Sequence, residues 1–450
     1  MSTTPTPRSS WSMTSPSSRS TSSAAAVNHH RVETRCNDRL MRRALQQVCE
    51  RAAARGVTPV QVPVIQEDPS IVEQDVIELE TKPADEAMDE LAVLRAVVAD
   101  AAVYFRTCLV EPIVGRRARR ALAARKLPIL TAADGIGYAP EGGAALTTHL
   151  QGLGYTDEHL LAAGVSIRRR TTHLIDRFRA RITFAVHDGA GDVVAFTARA
   201  FDEDRAAAAA AGHDLPKYLN TCETALYRKR EVLYGLTPQV RRLLGTGAVP
   251  VLAEGPTDAL AITLAGAGRY VGIASCGTAL TSEHLDVLDD VLQATSTSQD
   301  EAKDTKPGAG YLGRQGLAVA FDCDKAGRGT ARRAFGLAVA RGLRLLEVTL
   351  PEGGDPASLP RTTLAGLLEH VQDTPLVLSL IRDAVAPWAG RLHEDASQLN
   401  AVRAAVRFID PVHDDLDMGR CLAAVAAATG ADAVCVVDEL LDHRTSTSAA

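Results

Sequence analysis

Four pieces of one stretch decide the fold: VPVLAEGPTDALAI (249–262), GIASCGTALT (272–281), GLAVAFDCDKAGRGT (316–330) and LLEVTLPEGGDP (345–356). Each contains a short apolar run that closes on small or acidic residues, and helical stretches lie between them. That alternation predicts strands at 249–253, 270–275, 316–321 and 344–350 in a parallel sheet flanked by helices. Glu254, Asp258, Asp322, Asp324 and Asp355 fall at or just past the C-terminal ends of these strands. In an open parallel sheet those ends share the edge where ligands bind. Acids far apart in sequence therefore converge, and such a cluster repels itself unless a cation sits among them. A hard divalent ion, Mg²⁺ or Mn²⁺, is the usual answer. The stretch reads as a metal-dependent phosphoryl-transfer site.

Individual residues sharpen this. Glu254 ends an apolar strand, which is costly for an unpartnered acid. Asp258 has two readings: a ligand, or an acid favoured by the helix dipole in a first turn that Pro256 opens. Asp322 and Asp324, two apart on extended backbone, point to one side and suit joint ligation. Gly327 and Gly329 open a helix with Arg328, Arg332 and Arg333, whose first N–H groups suit a phosphate. A polar loop is expected from Ala294 to Gly316.

The bulk numbers exclude several classes. The chain has 450 residues, room for two to four domains, and carries a net charge of −6, so any nucleic-acid surface is a local patch. Eight cysteines include no C-x-x-C pair, which argues against a zinc ribbon or a disulfide framework. No zinc is expected, and His29, His30, Cys36 and Cys49 fit no zinc spacing. No apolar run reaches the ~18 residues of a membrane span, and no signal pattern opens the chain. A cytoplasmic location without membrane contact is the expectation.

Upstream, Ser-, Thr- and Pro-rich sequence predicts a disordered tail. An amphipathic helix is expected at Arg35–Ala54, an extended segment at Thr58–Pro83, and a helix from Ala84 onward. Arg116, Arg117, Arg119, Arg120, Arg125 and Lys126 form a basic stripe with two open readings, a solvated helix face or a phosphate-contacting surface. Arg168, Arg169 and Arg170 form a second basic cluster. Residues 177–201 read as two strands joined by Asp188–Gly191. An Ala-rich helix follows, then KYLN (217–220), then a short helix bearing Arg228, Lys229 and Arg230. The interleaved Tyr218, Tyr227 and Tyr234 suit a nucleotide surface, although Tyr234 reads better as core. The chain beyond Leu359 is predicted helical.

These motifs, with GIGYAP (135–140), RITFAVHDGAGDVVAF (181–196) and KYLNTCETALYRKREVLYGL (217–236), resemble the RNA-polymerase core of DnaG-type bacterial primases. The acidic stretch by itself resembles the Toprim domain that these primases share with topoisomerases and some nucleases. The resemblance covers roughly Val93 to Leu359. It implies an α/β fold: a Toprim domain with a parallel sheet, preceded by a mixed α+β subdomain and followed by a helical subdomain. The implied boundaries are a tail at 1–35, a helix and linker at 36–90, the N-terminal subdomain at 91–245, Toprim at 246–372 and helices at 373–443.

It further implies template-directed synthesis of short RNA primers on single-stranded DNA from NTPs. Glu254, Asp258, Asp322 and Asp324 match the family's catalytic acids, and Glu254, Asp322, Asp324 and Asp355 its metal set. Arg199, Lys217, Asn220 and Lys229 match nucleotide- or template-facing residues. Two departures stand out. No ligand set for the family's N-terminal zinc-binding domain is present, and Ala357 occupies the position of a further acid. A mobile-element primase, working with a replicative helicase or a partner that supplies template recognition, is the expectation. The alternatives are a Toprim nuclease and a catalytically weak single-stranded-DNA-binding accessory protein.

Overall fold

The computed structural model describes residues 84–127, 135–168, 173–295, 310–412 and 414–448. The predicted tail, the Arg35–Ala54 helix, the 58–83 segment and Arg169–Arg170 lie outside the described residues. Helix α1 (Ala84–Val110) follows the apolar period of its sequence, burying Val93, Leu94, Val97, Val98, Ala101, Phe105 and Leu109. Phe105 meets Phe196 and Phe178 edge to face, at 5.2 and 6.3 Å between ring centroids. α2 (Arg116–Ala124), β1 (Ile136–Ala139), α3 (Ala145–Gly152), α4 (Asp157–Ala162), β2 (Ser166–Arg168) and β3 (Leu174–Asp176) follow. Next come β4 (Arg181–His187), β5 (Val193–Ala200), α5 (Asp202–Ala210) and β6 (Tyr218–Asn220).

β1, β4, β5 and β6 pair in that order as an antiparallel sheet, and α1 packs on it. The β4–β5 turn forms as predicted. The Asp188 carboxylate accepts the N–H groups of Ala190 and Asp192, both at 3.0 Å, and pairs with Arg95 at 2.8 Å. That is the turn chemistry an Asp supplies without strain on its neighbours.

The second half runs α6 (Pro238–Gly245), β7 (Val249–Ala253), α7 (Pro256–Ala265), β8 (Tyr270–Ala274) and α8 (Ser282–Thr295). It continues with α9 (Gly310–Gln315), β9 (Leu317–Ala320), α10 (Lys325–Ala340) and β10 (Leu345–Glu347). All pairs are parallel, in the order β10-β9-β7-β8. The pleat divides the apolar residues between two layers. Leu252, Val271, Ile273, Leu317 and Val319 join one core cluster, while Val251, Ala253, Ala318, Ala320 and Leu346 join the other. Burial on both faces explains why these strands read as continuous apolar runs rather than alternating ones. Each fully buried Leu, Ile or Val contributes about 1.5–3 kcal/mol.

Helices α11 (Arg361–Glu369), α12 (Leu376–Val385), α13 (Asp395–Ile409), α14 (Asp415–Thr429) and α15 (Ala433–Ser448) close the chain. No single described helix is long and apolar enough to cross a membrane. One ion pair ties this helical region to the sheet edge. The Arg344 guanidinium donates to Asp417 at 2.5 and 3.0 Å, and the Asp417 side chain is only 4% exposed. Arg344→Ala strands that carboxylate with Arg420 alone, 3.6 Å away. Thermal unfolding is expected to show a loss of about 2–3 kcal/mol. That is less than for a fully enclosed pair, since Arg344 is partly solvated.

Two expectations are corrected, and one open reading is narrowed. Residues 221–236 contain no helix, so Arg228, Lys229 and Arg230 lie in a turn. The end of the 294–316 segment is helix α9, held where the Asp289 carboxylate accepts the Leu312 N–H at 2.8 Å. Three of the six cations in the basic stripe, Arg117, Arg119 and Arg125, are engaged within the structure. Arg117 pairs with Asp204 at 2.5 Å and lies over the Phe201 ring. Arg119 donates to three carbonyls, and Arg125 pairs with Asp202.

Candidate functional site

The acids meet at the C-terminal edge of the parallel sheet. Glu254 leaves β7, Asp258 sits in the first turn of α7, and Asp322 leaves β9. Asp324 precedes α10, and Asp355 lies in the loop after β10. The coupling is visible in their protonation. Burial, then repulsion from Asp322, holds the Glu254 carboxyl above its usual range, opposed by a hydrogen bond from the Asp322 backbone. Burial, then Asp355, pushes Asp322 up. Asp258 is pushed up to about 7 by burial first, then by Asp355 and Asp322. Lys217 offsets all three. Five acids against one lysine is an arrangement that a divalent ion relieves.

The donor set fits a hard cation by chemistry, all oxygen with no sulfur or imidazole. Among the described residues no group of three or more His, Cys, Asp or Glu is gathered closely enough to hold an ion as it stands. Ligation therefore asks the carboxylates to turn inward. Asp324 is further constrained, because its Oδ1 caps α10 by accepting the Gly327 N–H at 2.7 Å. That bond occupies the helix-start donor expected to face a phosphate. Cys323, between the two acids, turns away and donates to the Leu350 carbonyl at 3.2 Å.

Asp258 yields a sign-specific prediction. Its folded pKa exceeds the unfolded value, so between about pH 4 and 7 the folded state holds the extra proton and stability falls as pH rises. Asp258→Asn in EDTA is expected to raise Tm most at pH 8, much less at pH 5 and hardly at all near pH 4. Each unit of pKa shift represents about 1.4 kcal/mol. Equal effects at pH 8 and pH 4 would count against a strained, coupled Asp258.

The residues expected to face nucleotide or template divide. Lys217 is exposed, beside the Tyr218 ring. Arg199 is buried and spent: it donates to the Tyr218 hydroxyl at 3.1 Å and to Asp202 at 3.2 Å. Asn220 donates from Nδ2 to the Cys276 carbonyl at 3.1 Å, and its buried Oδ1 has no partner among the described residues. The Lys229 carbonyl lies 2.9 Å from His284 Nε2. His284 Nδ1 accepts the Thr281 N–H at 3.2 Å, so the ring is the neutral Nε2–H tautomer and its Nε2–H donates to Lys229. Thr281 also donates to the Arg230 carbonyl at 2.6 Å, which pins the basic turn to α8. Tyr227 and Tyr234 are core: the first is buried and the second stacks edge-on against Phe184.

One participant was missed in the sequence, Thr257; its partner is Tyr218, which the sequence placed on a nucleotide surface. Their hydroxyls stand 3.1 Å apart and join β6 to the start of α7, beside Glu254 and Asp258. Gly255 makes room, since a Cβ there would lie 3.3 Å from the Tyr218 hydroxyl and 3.2 Å from Asp258 Oδ2. The only signal was the spacing of Thr257 within EGPTD. No local pattern pairs it with a tyrosine 39 residues earlier.

Comparison with known proteins bears on this geometry. Residues 105–239 match the family described as the DNA primase catalytic core, N-terminal domain, and residues 251–359 match the Toprim-like family. DNA primase of Mycobacterium tuberculosis is 34% identical over 323 residues, covering 71% of this chain and 44% of the relative. DNA primase of Streptomyces coelicolor is 31% identical over 284 residues, covering 59% and 40%. The chain thus spans less than half the length of these curated relatives. The crystal structure of the RNA polymerase domain of M. tuberculosis primase DnaG, in complex with double-stranded DNA, superposes with a TM-score of 0.59 at 30% identity. That match covers 75% of this chain and 98% of that one.

Proposed function

Because the chain belongs to the family of DnaG-type primase RNA-polymerase domains, we propose that it synthesises short RNA primers on single-stranded DNA from NTPs. The observation that carries this is the convergence of Glu254, Asp258, Asp322, Asp324 and Asp355 on one sheet edge, with Lys217 as a cation shared by the first three. In the reaction a primer 3′-hydroxyl attacks the α-phosphorus of an incoming NTP. The bond to the bridging oxygen breaks, and pyrophosphate leaves. Mg²⁺ or Mn²⁺, when bound, lowers the charge on the triphosphate and the pKa of the attacking hydroxyl.

Glu254, Asp322, Asp324 and Asp355 would hold the ions. Asp258 tightens the cluster from the first turn of α7, and Ala357 supports it with an N–H donated to its Oδ1 at 3.3 Å. Ala357 thus supplies a backbone donor where the family tends to have an acid. Lys217, exposed at the rim, grips a phosphate as a point charge. Lys229 acts from a turn fixed by His284 and Thr281. Arg199 works through Tyr218 and Thr257, fixing β6 against the acid-bearing helix. A replicative helicase or another partner supplies template recognition.

The purified chain with Mg²⁺ or Mn²⁺, a single-stranded template and labelled NTPs is expected to yield short RNA that needs both template and metal. No product with either ion, with helicase added, sinks the reading. DNA cleavage in the absence of NTPs would move the assignment to a Toprim nuclease.

A further inference from the structure

A cleft of about 330 Å³ opens where the end of α2, the outer side of α7 and the loop into α11 meet. Its floor is apolar, built by Ala261 and Leu264 of α7 with Leu359 and Leu364. Its rim carries Arg125, Lys126 and Arg361, and no acid lines it among the described residues. Arg125 is paired with Asp202. Lys126 and Arg361 are exposed, and neither side chain has an acid or a hydrogen-bond partner among the described residues. Lys126 is also held at φ 58°, a conformation that costs a residue with a Cβ.

Two uncompensated cations above an apolar floor are complementary to a small anion with a flat apolar body. The volume is at the lower end of the ~300–1,000 Å³ of small-ligand pockets, which suits a single nucleotide rather than a strand. The lining includes none of the five acids and not Lys217, so this is a different place from the acid edge. It adjoins that edge, because Ala357 forms part of its wall while donating its N–H to Asp258.

We propose that this cleft is a second nucleotide site, which takes a free nucleoside mono- or diphosphate without a divalent ion. The base lies on Leu264, Leu359 and Leu364, and the phosphates lie between Lys126 and Arg361. The inference does not depend on the primer-synthesis reading.

The test titrates N-methylanthraniloyl-ADP into the full chain in EDTA and follows fluorescence anisotropy. Without a divalent ion the acid edge repels phosphates and contributes no signal. Saturable binding is expected, weakened at least about tenfold by Lys126→Gly and by Arg361→Gln, and changed less than about twofold by Lys217→Ala. Lys126→Gly removes the cation while relaxing the backbone, so loss of folding does not obscure the result. Absence of saturable binding overturns the proposal. So does binding that Lys217→Ala abolishes and both rim variants retain. So does a 5′-phosphorylated tetranucleotide that displaces the probe more tightly than ADP. None of these outcomes touches primer synthesis, which the template-dependent assay decides separately.

Discussion

Asp322→Ala is expected to cut primer synthesis by about 10²–10³-fold or more while leaving the fold intact, measured as template-dependent RNA product at saturating NTP. Asp322 sits at the centre of the cluster. Its charge raises the protonation of both Glu254 and Asp258, and its backbone N–H supports Glu254. Removing the carboxylate deletes a donor from the ion's set and relaxes the repulsion among the others. Activity and stability should therefore move in opposite directions: the variant loses turnover but unfolds at a higher temperature in EDTA at pH 8. Functional sites commonly trade stability for chemistry in this way. A core truncation such as Phe105→Ala lowers both, because it removes buried area and leaves a cavity. If Asp322→Ala retains full activity, the acid edge is not where the chemistry occurs.

Gly327→Ala is expected to damage the same site from behind. An added Cβ would lie 2.0 Å from the Asp322 carbonyl oxygen and 3.1 Å from its amide nitrogen. Both are backbone atoms that cannot swing aside. The first turn of α10 must move away from the end of β9, and the 2.7 Å bond from the Gly327 N–H to Asp324 goes with it. Overpacking of this kind costs about 1–3 kcal/mol. The larger effect is on turnover, since Asp322 and Asp324 both lose their setting. Gly336→Ala is the control. That glycine lies in the same helix with no atom within 4 Å of an added Cβ, so the substitution is expected to be neutral or slightly stabilising. Similar losses from both variants would mean that helix perturbation, not the Asp322 contact, is responsible.

Much of the fold was legible in the sequence. The strand at Val249–Ala253 forms with the predicted ends, and the others differ by a few residues. These runs are buried on both faces, so their apolar character is continuous and local. The acids are legible for the same reason: an acid that ends such a run has no bland explanation. The helix expected at 228–230 fails where its apolar residues are anchored in different places, Leu233 in one core cluster and Tyr227 and Tyr234 in another. The basic stripe on α2 is ambiguous in sequence. The partners that neutralise it, Asp202 and Asp204, are about 80 residues away, and only packing brings them close.

The sequence by itself determined the parallel sheet, the acids along its edge and the oxygen-only donor chemistry, because each follows from residue type and spacing within a few positions. Tertiary structure alone decided how those residues are used. It committed one side of Asp324 to a helix cap, buried Arg199 behind Tyr218, and set Thr257 against a strand from the preceding subdomain. It also left Lys126 and Arg361 uncompensated beside an apolar cleft. Each of these depends on which distant group fills the space next to a side chain. A hydrogen-bond donor or a countercharge acts over a few ångströms, while the chain separating the partners runs to tens or hundreds of residues.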